Sequence, residues 1–130
     1  MATADFNNTI LVVEEDARTA FLLDYLLSRE GYKVIAINPN HQNYITQDSG
    51  MTPRLIIMGN KPSVDNDSMM ISDIRNTGDW KNVPILVLVS QYEKQKMERA
   101  MQAGANDILM QPFDQRELMM QVERHMVSLH

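Results

Sequence analysis

Cysteine is absent from the 130 residues, which excludes a disulfide framework, a thiolate zinc site and a cysteine nucleophile. Histidine occurs three times, at 41, 125 and 130, too scattered in sequence to suggest a metal set. Basic residues are in deficit: 12 Lys and Arg stand against 17 Asp and Glu, and the net charge is −5. The basic stripe that marks a nucleic-acid-binding domain is missing, so no nucleic-acid partner is expected. No apolar run approaches the ~18 residues of a membrane span. The N-terminus has no basic patch followed by an apolar core, so no signal peptide is expected either. Repeats, linkers and low-complexity stretches are also lacking. What is present is ordinary globular material, 44% hydrophobic and 22% charged, expected to form one cytoplasmic domain over residues 1–130. A chain of this length buries roughly two-thirds of its unfolded surface and needs no covalent staple.

The apolar segments recur at regular intervals: Ile10–Val13, Tyr32–Ile37, Leu55–Met58, Ile85–Val89 and Ile108–Met110. Short continuous runs of this kind suit strands buried on both faces of a parallel sheet. Helical patterns fall between them. Thr19, Leu22, Leu23 and Leu26 share a face within Ala17–Glu30; Met70, Ile71 and Ile74 do so within Asp67–Arg75. Met97, Ala100 and Met101 form a stripe within Tyr92–Ala103, and Leu118, Val122, Met126 and Leu129 form one within Gln115–Leu129. Gly31 and Gly104 stand where helices should stop. Ser90 with Glu93, and Asp114 with Glu117, have the spacing of capping boxes. The polar stretch from Asn38 to Thr52 is the weakest helix of the set. Strand and helix alternating five times indicate an α/β fold, a doubly wound five-stranded parallel sheet with helices on both faces. Ligands in such sheets gather at the carboxyl ends of the strands. Those ends are Glu14–Glu15–Asp16, Met58–Gly59–Asn60, Val89–Ser90 and Gln111–Pro112–Phe113.

Five pieces in this order resemble the receiver domain of two-component response regulators: ILVVEED (10–16), GYKV (31–34), PRLIIM (53–58), NVPILVLVS (82–90) and AGANDILMQPFD (103–114). The resemblance covers nearly the whole chain. It implies a flavodoxin-like (βα)5 fold with strand order 2-1-3-4-5. It also implies phosphoryl transfer to an aspartate at the end of the third strand. An acidic pair after the first strand would hold Mg²⁺, which offsets the incoming charge. A hydroxyl after the fourth strand and a lysine after the fifth would complete the pocket.

This chain departs from that pattern. Counting from Pro53 places the aspartate position at Gly59; counting back from Pro62 places it at Met58, because the loop is one residue short. Neither side chain can accept a phosphoryl group. The hydroxyl position falls on Val89, the lysine position on Gln111, and an aromatic switch position on Ile108. Only the acidic pair survives, as Glu14 and Glu15, enough for millimolar Mg²⁺ affinity at best, about 4 kcal/mol. The expectation is a degenerate receiver, not an enzyme, with no cofactor beyond that weak Mg²⁺. It would signal through protein partners or a second copy, by way of the last strand and the last two helices.

Several residues have a plain reading and a functional one. Glu14 and Glu15 suit a helix start, where the dipole favours carboxylates. Ser90 reads as an N-cap before it reads as a substitute hydroxyl. Asp65 and Asp67 are alternative acceptors, with turn and cap chemistry as the plain reading. Trp80 is expected to pack on the domain edge, with a partner anchor as its functional reading, and His125 at the rim of the last helix's buried stripe. Among 11 methionines, Met97, Met101 and Met126 read as core filler. Met120 and Val127, with Arg116 and Glu123 beside them, project outward and suggest a contact surface. A neutral crevice at Gly59, Val89 and Gln111 would suit a small ligand as a third function.

Overall fold

The computed structural model describes residues 8–39, 52–59, 67–90 and 93–126. Five strands and four helices are formed among them: β1 (Thr9–Val13), α1 (Ala17–Arg29), β2 (Lys33–Ile37), β3 (Leu55–Met58), α2 (Asp67–Arg75), β4 (Ile85–Ser90), α3 (Lys94–Ala103), β5 (Asp107–Gln111) and α4 (Gln115–Met126). A single 3₁₀ turn, Gly78–Trp80, precedes β4. All strand pairs are parallel and the sheet order is β2-β1-β3-β4-β5. The helix expected between Asn38 and Thr52 lies outside the described residues, as do Asp65, Val127 and Leu129.

The continuous apolar runs are explained by a core on each side of the sheet. Successive strand residues point to opposite faces, so β1 sends Leu11 and Val13 one way and Ile10 and Val12 the other. The first face packs against Ile71 and Ile74 of α2, Ala100 of α3, and Trp80. The second packs against Leu23 and Leu27 of α1 and Leu118 and Val122 of α4. Each such buried side chain contributes roughly 1.5–3 kcal/mol. Trp80 is only 3% exposed, so it is a core residue and offers no anchor to a partner.

Helix phase differs from expectation in two places. In α1 the buried pair is Leu23 and Leu27, while Leu22 is exposed. Residues 20–23 and 25–27 are apolar almost all round the helix, so the pattern leaves the phase open. Contact with Ile10 and Val34 selects it. In α3, Met97 packs against the core but Met101 is exposed. Ala100, one residue earlier, occupies the inward position where the helix approaches the sheet.

Gly104 ends α3 in the left-handed region (φ 121°), its N–H donating to the carbonyl of Met101. Its own carbonyl accepts two bonds from Arg75 of α2, at 3.1 and 2.8 Å. The same guanidinium donates to the carbonyls of Lys81 (3.0 Å) and Val83 (2.8 Å) and to Asn106 Oδ1 (2.7 Å). Asn106 Oδ1 also accepts the Ile85 N–H at 2.8 Å. The Gln111–Pro112 peptide is cis.

Candidate functional site

The sheet register brings the first and third strand ends together. Val13 is paired with Met58, so Glu14 and Gly59 emerge side by side. The Gly59 N–H donates to the Val13 carbonyl at 2.7 Å, and the Glu14 N–H to the Ile37 carbonyl at 3.1 Å. Met58 points into the core on the α2–α3 side and is 1% exposed. Of the two positions that the short loop left open, Gly59 is therefore the one that meets the acidic strand end.

Glu14 does not reach into solvent. It is 6% exposed, and its carboxylate lies over Gly59. A Cβ placed on Gly59 would overlap Glu14 Cδ and Oε1 and stand 2.9 Å from Oε2. Oε2 accepts the Asp16 N–H at 2.9 Å. Burial raises the Glu14 pKa above the ordinary carboxylate value, and the charges of Asp16 and Glu15 push the same way. Hydrogen bonds from the Asp16 and Glu15 backbone oppose them. Glu15 is half-buried. Asp16 is the N-cap of α1: Oδ1 accepts the Arg18 N–H at 3.0 Å and Oδ2 accepts the Thr19 hydroxyl at 3.2 Å. These contacts, the Arg18 N–H first, hold its pKa below the usual value.

The other strand ends complete the rim. Val89 is buried in the α2–α3 core. Ser90 and Gln111 are paired across β4 and β5, and both are half-buried. Ser90 is not the N-cap of α3. It remains in β4, and Glu93 precedes the first helical residue, Lys94. The expected box is half made, with the Ser90 N–H donating to Glu93 Oε1 at 3.1 Å. The box at Asp114 has its cap bond, the Glu117 N–H donating to Asp114 Oδ1 at 2.7 Å. Asp67 opens α2. No cluster of three or more His, Cys, Asp or Glu residues suited to a metal occurs among the described residues.

Of the outward face expected on the last helix, three residues are described and Val127 is not. Met120 is 58% exposed, with Arg116 and Glu123 also exposed on α4. Met110 on edge strand β5 and Met101 on α3 add exposed methionines that sequence patterning did not single out. His125 lies at the rim of the buried stripe as expected, but it has a partner 18 residues away. Its Nε2 is 3.1 Å from Asp107 Oδ2, which also accepts Arg124 Nη1 at 3.0 Å. A second exposed apolar group, Phe21, Leu22 and Tyr25, lies on α1, with Arg29 over the Tyr25 ring at 5.4 Å.

The model of the response regulator receiver domain matches residues 10–123. The chain belongs to that family. Receiver domains are the signal-receiving modules of two-component systems. Among curated proteins, this one is 30% identical over 118 residues to the transcriptional regulatory protein KdpE of Staphylococcus aureus, covering 84% of this chain and 46% of KdpE. It thus spans about half the length of that regulator. A 14.6 kDa protein of Leptolyngbya boryana is 26% identical over 120 residues, covering 92% of this chain and 90% of that one. Among solved structures, the receiver domain of sensor histidine kinase PA1611 from Pseudomonas aeruginosa has a TM-score of 0.81 at 26% identity. The match covers 93% of this chain and 98% of that one, whose cleft holds a coordinated magnesium ion. The chemotaxis protein CheY4 of Vibrio cholerae has a TM-score of 0.79 at 20% identity, covering 90% and 97% of the two chains, a likeness of fold. No helix among the described residues is long and apolar enough to cross a membrane.

Proposed function

We propose that this receiver domain signals by protein–protein contact and is not phosphorylated at the third-strand position. The observation that carries the reading is Gly59 with the Glu14 carboxylate lying over it. Acyl-phosphate formation needs a carboxylate oxygen free to attack phosphorus. Position 59 supplies none, and the neighbouring carboxylate is turned inward. Val89 and Gln111 supply neither the hydroxyl nor the positive charge that would stabilise a bound phosphoryl group. The contact surface is the face of α3, β5 and α4. Its exposed methionines are unbranched and polarisable, and adapt to more than one partner shape, while Arg116 and Glu123 give it polar edges. Partners would be cytoplasmic signalling proteins, with a second copy of this chain as the simplest case.

Incubation with acetyl phosphate followed by intact-mass measurement tests the first half. The expected result is an unchanged mass. A hydroxylamine-labile phosphoryl adduct would sink the reading and send the search to Asp65 or Asp67. For the second half, Met120→Asp should weaken self-association or partner capture at least tenfold in sedimentation or titration experiments, with the melting temperature unchanged. Equal association by the parent and the variant would remove α4 from the surface.

A further inference from the structure

We propose that Glu14 is the internal occupant of the space a side chain at position 59 would fill, and that this occupancy, rather than a shortage of carboxylates, keeps a divalent cation out of the strand-end pocket. The inference deepens the reading of an unphosphorylated pocket and rests on it. Three observations support it.

First, the overlap is steric. A single Cβ on Gly59 would collide with the Glu14 carboxylate, so the two positions share one volume and only glycine leaves it open. Neighbouring strands lie about 4.8 Å apart. A glutamate just after β1 spans that gap, whereas an aspartate is one methylene shorter. Second, the carboxylate is engaged where it lies. It is 6% exposed, and Oε2 accepts the Asp16 N–H. Third, the remaining acidic groups do not converge on a common point. Both Asp16 oxygens face the first turn of α1, one on the Arg18 N–H and one on the Thr19 hydroxyl. Mg²⁺ requires near-octahedral oxygen donors at 2.0–2.1 Å. Glu14 Oε2 and both Asp16 oxygens are engaged by the protein, and no group of three acidic residues suited to a metal occurs among the described residues, so the cation implied by the family does not fit this arrangement.

The discriminating variant is Glu14→Asp. It preserves the carboxylate count and the charge and shortens only the reach. If scarcity of carboxylates excludes the cation, nothing changes. If occupancy does, the shorter side chain withdraws from Gly59. A Mg²⁺ titration, followed on the amide resonances of Gly59 and Ser90, should give at least tenfold tighter binding for the variant than for the parent. Equal midpoints overturn the proposal. Gly59→Ala is the independent check. The added methyl should displace the carboxylate and move the Asp16 amide resonance, which depends on Oε2. An Asp16 resonance that stays in place also overturns it. Acetyl phosphate labelling of the parent would instead count against the functional reading, so the two failures are distinguishable.

Discussion

Glu14 carries a pH signature set by its burial. Its folded pKa lies above the ordinary 4.5, chiefly through burial. A carboxyl group of this kind adds stability that is complete below the unfolded value and is lost as pH rises through the raised folded value. Ionised Glu14 is therefore a cost at neutral pH. Glu14→Gln should raise the urea midpoint at pH 7 relative to the parent, and the gain should disappear near pH 4. A midpoint difference that does not change with pH would contradict the burial argument. Asp16 has the opposite sign: its pKa is lowered, so its contribution is present at neutral pH and fades as pH falls through that lowered value. The identities at Glu14, Gly59, Val89 and Gln111 were readable from sequence. The inward turn of Glu14 was not. It depends on a missing Cβ 45 residues away, and no local pattern encodes that.

Element boundaries followed the apolar runs closely, because a strand buried on both faces carries its own signal. The deviations arise where two local preferences compete. Ser90 has the sequence of a cap but continues the β4–β5 ladder to Gln111, and the helix starts later, at Lys94. Asp114 faces no such competition, since β5 ends at Gln111. Its oxygen receives the Glu117 N–H at 2.7 Å, so Asp114→Ala should cost about 1 kcal/mol and lower the melting temperature by roughly 3–5 °C. Calorimetry would show it; an unchanged transition would mean the first turn of α4 is held by packing alone. The phase of α1 and the Asp107–His125 contact were hidden for a shared reason: each is decided by a partner on another element, not by periodicity.

On the scale of the molecule, the alternation of strand and helix predicted the layered α/β architecture, and the family resemblance supplied the strand order that the sheet shows. Exposed methionines lie on α2 (Met69) as well as on α3, β5 and α4, and this was only half legible, because Met101 and Met110 look like core residues until the helix and edge strand are placed.

Arg75 has a consequence for how the domain opens. One side chain from α2 holds the carbonyls of Lys81 and Val83, just before β4, and that of Gly104, just before β5. Through Asn106 it is joined to the first amide of β4. Two connecting segments more than 20 residues apart should therefore come loose together, as one cooperative unit. Native-state hydrogen exchange at Ile85 and at Asn106, whose amide donates to the Ile85 carbonyl, should report a common opening free energy. In Arg75→Lys, which cannot fork to both segments, that shared value should fall by about 2 kcal/mol. Opening energies that already differ in the parent would show that the two segments move independently.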